Sequence, residues 1–256
     1  MKHLDLFSGI GGFALAAQWA GIETVAFCEI ERFACKVLEK NFPDIPIHRD
    51  IRELNGSVFT GIDLITGGYP CQPFSTAGKR LGTKDNRHLW PEMRRVITQA
   101  KPTWVLCENV VGHVSMGLDD VLSDMEGKGY TGQPLIIPAC AKNAPHERNR
   151  VWIIFHANSP NAFGIDRSNG SNIHVEEWAF EKNQQKRLNR FVKLVPRAAI
   201  PRATTYAKSL RKLDGIPNWM DRNRTLGNAI VPQVAYEILR AIKTTQHYYQ
   251  GCITPD

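Results

Sequence analysis

The sequence predicts an α/β protein built around a mostly parallel β-sheet, and two observations support this fold class. From Lys2 to Phe155, short apolar segments alternate with longer helix-like segments, which is the pattern of strands joined by helical crossovers. Polar residues and glycines directly follow several apolar segments, where an open α/β sheet places its ligands. The 256 residues suffice for one sizeable core and a smaller appendage.

Each predicted element is an apolar run bounded by glycine, proline or polar residues. Gly21 and Phe42-Pro43 end the first two helices, and Val234, Ile238 and Ile242 recur at helical spacing in the last one. The predicted helices are Phe13–Ala20, Arg32–Asn41 and Pro232–Ile242. The predicted strands are Leu4–Phe7, Thr24–Cys28, a third ending at Asp50, a fourth over 62–66, a fifth from Trp104 to Glu108, and an antiparallel edge pair, Gln133–Ala139 and Val151–His156.

Composition indicates a reduced, intracellular setting and a polyanionic partner. The formal net charge is +7 and the pI about 9.1, although a solvated basic surface without such a partner remains the alternative. The six cysteines have no regular close pairing, so we expect reduced thiols and no metal site. No apolar run is long enough to span a bilayer, and Asp5 interrupts anything like a signal peptide. We therefore expect a cytoplasmic protein with no membrane partner; a monomer is favoured and the oligomeric state is left open.

The composition of the sequence changes near Ala157. The stretch that follows is rich in loop-forming polar residues, and basic side chains are dense from Lys182 to Lys212. We predict a large domain formed by residues 1–156 and 224–256, and a small domain over residues 157–223.

A cysteine in a Gly- and Pro-rich loop is the first candidate for chemistry. The predicted fourth strand runs into Gly67-Gly68-Tyr69-Pro70-Cys71-Gln72-Pro73-Phe74-Ser75, where the glycines allow close backbone approach and the prolines restrict the chain around the thiol. A lone cysteine in such a turn is more often buried and inert. Two further motifs favour a nucleophile instead.

The first of these motifs is a glycine-rich turn, Phe7-Ser8-Gly9-Ile10-Gly11-Gly12, between the first strand and its helix. Backbone can approach a ligand there, but the spacing differs from the Gly-x-Gly-x-x-Gly of dinucleotide-binding proteins. Glu29 follows about 20 residues later at the end of the second strand, where an acid can accept hydrogen bonds from ribose hydroxyls. The second motif is Cys107-Glu108-Asn109-Val110, at the end of the fifth strand.

In this order, the motifs resemble those of the cytosine carbon-5 methyltransferases of bacterial or phage type. Arg148-Asn149-Arg150 and a closing segment, 227–232, complete the set, with His146 in place of a usual glutamine. The resemblance covers most of the chain and fails between about Ala157 and Leu213. It implies the Rossmann-like fold of S-adenosylmethionine-dependent methyltransferases, a small target-recognition domain, and methylation of a cytosine flipped out of double-stranded DNA.

The resemblance also implies roles for individual residues. Cys71, as a thiolate, would add to carbon-6 of the base, while Glu108, partly buried with a raised pKa, would hold a proton against ring nitrogen 3. Arg150 would contact the base carbonyl and orient Glu108, with Arg148 close to the nucleophile. The cofactor-binding residues implied are Phe7, Ser8, Gly9, Gly11, Gly12, Glu29, Ile30, Asp50, Ile51, Gly68, Pro70 and Asn228.

The predicted DNA contacts lie in two basic segments. The run from Ser75 to Arg87 has the composition of a lid over the flipped base, and the basic side chains of the small domain suit phosphates. The residues named for DNA are Ser75, Lys79, Arg80, Arg87, Lys186, Arg187 and Arg190. Two alternatives stay open: a transfer-RNA methyltransferase of the same chemistry, and a catalytically silent nucleic-acid-binding protein of the same fold.

Overall fold

A seven-stranded mixed sheet carries helices on both faces. The structure, a computed structural model, describes residues 1–70, 89–138, 149–158, 229–249 and 251. The strands are β1 (Lys2–Leu6), β2 (Glu23–Cys28), β3 (Ile47–His48), β4 (Leu64–Gly67), β5 (Trp104–Val110), β6 (Tyr130–Pro138) and β7 (Asn149–Ala157). The helices are α1 (Gly12–Trp19), α2 (Arg32–Asn41), α3 (Trp90–Ala100), α4 (Leu118–Glu126) and α5 (Pro232–Tyr249), with 3-10 turns at Gly56–Val58 and Val111–Ser115.

The strand order is β3-β2-β1-β4-β5-β7-β6. The pairs β1–β2, β2–β3, β1–β4 and β4–β5 are parallel, whereas β7 pairs antiparallel with both β5 and β6. The chain therefore adds β2 and β3 on one side of β1. It then crosses back to add β4 and the later strands on the other side. Ligands of open α/β sheets bind where the order reverses in this way, so the carboxyl ends of β1 and β4 mark the expected site.

The predicted fold class is confirmed, and the boundaries differ for local reasons. The first strand ends at Leu6 rather than Phe7, because Phe7 has a φ of 53° that a strand cannot continue. The last helix continues past Ile242 to Tyr249, and Gln246 in this extension is buried against the sheet, where its Oε1 accepts a hydrogen bond of 2.9 Å from Trp104 Nε1. The second predicted helix, Arg32–Asn41, matches α2.

The two faces of the sheet pack on different helices. On one face, α1 and α5 bury a cluster with β4, β5 and β7 that includes Leu64, Leu106, Trp152, Val234 and Leu239. On the other face, Met93, Val96 and Ile97 of α3 and Val121 and Met125 of α4 pack against β-strand residues. The last helix therefore packs on the large sheet, since α5 shares one core with β4 and β5.

Three further findings concern the described ranges alone. No helix there is both long and apolar enough to cross a membrane. No group of three or more His, Cys, Asp or Glu side chains there could hold a metal ion. Cys28, Cys35 and Cys107 are buried free thiols. The predicted small domain over residues 157–223 lies outside the described residues, apart from Ala157 and Asn158, and stays a prediction.

Candidate active site

The turn after β1 combines backbone strain with one open position. Phe7 and Gly9 have positive φ values of 53° and 54°, and Ser8 Oγ donates 2.7 Å to the Asp5 carbonyl, which holds the turn against the strand end. A Cβ added at Gly9 would meet nothing within 4 Å, so this stretch of backbone borders open space. Gly12 differs, because a Cβ there would lie 2.6 Å from Ile230 Cγ1. Gly9 therefore suits ligand approach, while Gly12 is required for packing; Gly11 is the left-handed N-cap of α1.

Glu29 joins this turn to the end of β2. Its buried carboxylate accepts hydrogen bonds from two backbone N–H groups, those of Gly9 at 2.7 Å and Glu31 at 2.8 Å. Each carboxylate oxygen has two lone pairs, so both oxygens retain capacity for a further donor. Ile30, the next residue, exposes 54% of its surface beside this carboxylate. Together these residues can hold a ribose-bearing ligand.

The Asp50 carboxylate, which the resemblance assigns to an adenine amino group, is bonded to Arg52. Arg52 Nε lies 3.0 Å from Asp50 Oδ1, and Arg52 Nη2 lies 2.9 Å from Asp50 Oδ2. Hydrogen bonds from Arg52 lower the pKa of Asp50. The neighbouring Ile51 is buried. Asp50 Oδ1 also accepts 3.0 Å from the Arg52 N–H, so Asp50 is held as a carboxylate that is bonded to Arg52 through both oxygens.

A buried polar chain crosses the sheet beneath the turn, and sequence reasoning missed His3 and Thr66 among its members. Thr66 Oγ1 donates 2.7 Å to Asp5 Oδ1 and lies 2.7 Å from His3 Nε2, while His3 Nδ1 lies 2.9 Å from Thr24 Oγ1. Burial raises the pKa of Asp5 to about 8 and lowers that of His3 to about 3. His3 and Asp5 alternate on β1 and so share one face, a signal that the sequence did contain.

Glu108 and Arg150 meet across two antiparallel strands. In the β5–β7 register, Glu108 lies opposite Trp152, which makes Arg150 its diagonal neighbour. Arg150 Nε lies 2.9 Å from Glu108 Oε1, and the side chains are 22% and 8% exposed, respectively. The structure thus brings these two predicted residues together. That Glu108 holds a proton on a base stays a prediction.

The ends of β4 and β5 are bonded to each other through Tyr69. Asn109 Nδ2 donates 3.1 Å to the Tyr69 carbonyl, and the Tyr69 hydroxyl lies 2.7 Å from Nε2 of the buried His113. A Cβ added at Gly68 would lie 3.5 Å from Glu108 Oε2. The backbone that leads into Pro70 therefore lies close to the Glu108 carboxylate. Neither the role of His113 nor that of Asn109 was predicted from sequence.

Several predicted residues cannot be placed in this geometry. They lie outside the described residues, so their roles stay predictions: Cys71, Ser75, Lys79, Arg80, Arg87, Arg148, Lys186, Arg187, Arg190 and Asn228.

The strand order, the turn after β1 and the carboxylate at the end of β2 define the Rossmann-like fold of the S-adenosylmethionine-dependent methyltransferases. Within that class, the profile of the C-5 cytosine-specific DNA methylases matches residues 1–223, and the chain belongs to this family.

Relatives and a solved structure agree with that family. The chain is 37% identical over 156 residues to the Type II methyltransferase M.NgoMIV of Neisseria gonorrhoeae, a match covering 59% of this chain and 50% of the relative. It is 30% identical over 198 residues to the Type II methyltransferase M.HhaI of Haemophilus parahaemolyticus, covering 75% of this chain and 56% of the relative. The chain thus spans about half the length of these relatives.

Among solved structures, a mutant of DNMT2 from Spodoptera frugiperda superposes with a TM-score of 0.53 at 27% identity. The match covers 62% of this chain and 50% of that one.

Proposed function

We propose that this chain methylates carbon-5 of cytosine in double-stranded DNA, with S-adenosylmethionine as the methyl donor. The observation that carries the proposal is the Glu108–Arg150 ion pair beside Gly68 and Tyr69, at the carboxyl ends of β4 and β5. It places a buried acid next to the loop that leads into the candidate nucleophile. Family membership and the Type II methyltransferase relatives support DNA as the substrate.

The residues around the turn after β1 fit a nucleoside-bearing cofactor. The space beside Gly9 is open, the Glu29 carboxylate has acceptor capacity for ribose hydroxyls, and the exposed side chain of Ile30 offers an apolar surface for the adenine ring. Asp50, whose pKa is lowered by its hydrogen bonds from Arg52, is the carboxylate that we assign to an adenine amino group. When bound, S-adenosylmethionine supplies an electrophilic methyl group on a sulfonium centre.

The chemistry assigned to the protein is activation of the base. Carbon-5 of cytosine is a poor nucleophile, and addition of the Cys71 thiolate at carbon-6 converts the ring into an enamine-like nucleophile. Glu108 must take up a proton when the base binds and then share it with ring nitrogen 3, which prevents negative charge from accumulating on the base. Arg150 holds Glu108 in orientation. After methyl transfer, we assign a water molecule to take the carbon-5 proton; the bond between carbon-6 and the Cys71 sulfur then breaks, the ring nitrogen 3 returns its proton to Glu108, and the aromatic ring is restored.

The deciding experiment incubates the protein with labelled S-adenosylmethionine and either mixed-sequence duplex DNA or transfer RNA, and then maps the modified base. Label at carbon-5 of cytosine in DNA is expected. Label confined to transfer RNA would replace DNA with RNA as the substrate, and binding without label in either would indicate a silent nucleic-acid-binding protein.

A duplex carrying 5-fluorocytosine tests the covalent step. Fluorine cannot leave as a cation, so the wild-type protein should remain attached to this DNA on a denaturing gel. Cys71→Ser should form no adduct and should not turn over, because a hydroxyl is far less ionised than a thiol at neutral pH. Robust methylation by Cys71→Ser would exclude the mechanism.

A further inference from the structure

Arg95 on α3 bonds to the loop that follows β3. Its Nη2 donates 2.7 Å to the Ile51 carbonyl and its Nη1 donates 2.8 Å to the Leu54 carbonyl. The same guanidinium is fixed on its own helix, since Nε donates 2.8 Å to Glu92 Oε2 and Nη1 donates 3.0 Å to Gln99 Oε1. A planar guanidinium with a fixed set of donors thus connects α3 to two points of the loop.

The loop lies against α3 at a second point. The Gly56 N–H donates 2.8 Å to Gln99 Oε1, and this oxygen also accepts from Arg95. A Cβ added at Gly56 would lie 2.6 Å from the Val96 carbonyl oxygen, so only glycine permits this approach of loop and helix. The loop is therefore docked on α3 by Arg95, Gln99 and the absence of a side chain at Gly56.

The carbonyls that Arg95 bonds lie in irregular backbone. Because β3 comprises only Ile47–His48, the sheet does not order residues 49–55. The Ile51 carbonyl accepts both from Leu54 N–H at 3.2 Å, which closes the local turn, and from Arg95. Asp50 and Ile51 stand at the start of this turn, so its shape sets where the Asp50 carboxylate points. By bonding to the carbonyls of Ile51 and Leu54, Arg95 fixes the shape of this loop from its α3 side.

We propose that Arg95 is a positioning residue for the adenine end of the cofactor: it holds the 49–55 loop in the shape in which Asp50 and Ile51 meet the base. This inference rests on the proposed function, which identifies the ligand as S-adenosylmethionine. Arg95 acts through the loop carbonyls. Its loss should therefore weaken cofactor binding more than it weakens nucleic-acid binding or the catalytic step.

The test compares Arg95→Ala with Arg94→Ala, a matched control from the same helix. Arg94 forms an ion pair with Asp124 of α4 and not with the loop. Its replacement therefore removes the same positive charge but a different contact. By calorimetry, Arg95→Ala should raise the Kd for S-adenosylmethionine about tenfold and the Kd for adenosine by the same factor. Arg94→Ala should keep both at wild-type values.

Steady-state kinetics distinguish a positioning role from a general structural role, because only the former predicts a change confined to the KM for the cofactor. Arg95→Ala should raise the KM for S-adenosylmethionine, with kcat at saturating cofactor and the Kd for DNA without cofactor close to wild type. Should Arg95→Ala fail to fold, Arg95→Lys decides. A lysine keeps the charge but cannot reach two carbonyls with a planar fork, so a several-fold rise in cofactor Kd is expected.

Two results overturn different statements. Wild-type cofactor affinity in folded Arg95→Ala or Arg95→Lys, alongside normal binding by the unmutated protein, overturns the role of Arg95 and leaves the proposed function intact. Failure of the unmutated protein to bind S-adenosylmethionine overturns the proposed function and the Arg95 inference with it.

Discussion

Glu108 on β5 and Arg150 on β7 form an ion pair of 2.9 Å across an antiparallel strand pair, with Glu108 almost completely removed from solvent. A buried carboxylate is costly without a partner, so Arg150 both stabilises it and restricts its orientation. This pair links β7, the strand next to the edge strand β6, to β5. It also gives the proposed chemistry its most direct structural support.

The first prediction concerns this pair. Glu108→Gln should lower kcat by about 10²- to 10⁴-fold, because an amide cannot share a proton with the ring nitrogen as a carboxyl does. Arg150→Ala should lower kcat as well and should also destabilise the fold, since it removes the ion pair from a carboxylate that is almost completely buried. Steady-state kinetics and urea unfolding measure the two effects.

Arg240→Ala is the control for loss of an arginine ion pair. Arg240 bonds to Glu237 on the surface of α5, where its side chain is 63% exposed, so kcat and unfolding midpoint should stay near wild type. Wild-type kcat in Glu108→Gln would remove Glu108 from the mechanism.

The second prediction is a pH dependence of stability that arises from Asp5. Its pKa is raised from 3.8 to about 8 in the folded protein, so between these values the unfolded chain is ionised and the folded protein still holds the proton. Unfolding releases a proton in this window, and the free energy of unfolding therefore falls as pH rises, by up to about 1.4 kcal/mol per pH unit. Above about pH 8 this contribution is constant.

His3 opposes Asp5 over part of this range. Its pKa is lowered from 6.5 to about 3, so the unfolded chain gains a proton below 6.5 while the folded protein does not, and stability falls as pH decreases. The two slopes cancel between about pH 4 and 6.5. The decline due to Asp5 should therefore be visible from about 6.5 to 8, and Asp5→Asn should flatten it in urea titrations at several pH values. An unchanged slope in that variant would contradict the assignment.

The third prediction separates two glycines of one turn. Gly12→Ala should destabilise the fold by about 1–3 kcal/mol, because its Cβ would overlap Ile230 Cγ1, and Ile230→Ala in the same protein should relieve part of that loss. Gly9→Ala meets open space, so its cost is limited to about 1 kcal/mol of backbone strain at positive φ, but its methyl group intrudes where the cofactor is proposed to bind.

Thermal unfolding measures the loss of stability in these variants, and calorimetry measures their affinity for the cofactor. Gly9→Ala should weaken S-adenosylmethionine binding more than Gly12→Ala does, relative to the loss of stability of each. The reverse ranking would mean that the cofactor approaches the turn from another side.

Local sequence patterns predicted the strands, three of the five described helices and the edge of the sheet where the site lies, whereas α3 and α4 were not predicted. Apolar runs and their Gly, Pro and polar boundaries predicted the alternation of strands and helices, because hydrophobic periodicity and turn chemistry act over a few residues. They predicted Arg32–Asn41 to the residue. The motifs at the strand ends were sufficient to indicate the family, because each is a short run of neighbouring residues.

Apart from Glu108 and Arg150, whose contact the resemblance implied, tertiary structure decided which side chains meet. Arg95 bonds to Ile51, and Tyr69 bonds to His113, only because crossovers place α3 beside the loop after β3 and β4 beside β5. The Asp50 carboxylate, expected to face a ligand, is shared with Arg52. The pKa of Asp5 depends on burial that no neighbouring residue in the sequence reveals. Such pairings and desolvation depend on the packing of distant segments, which local patterns do not encode.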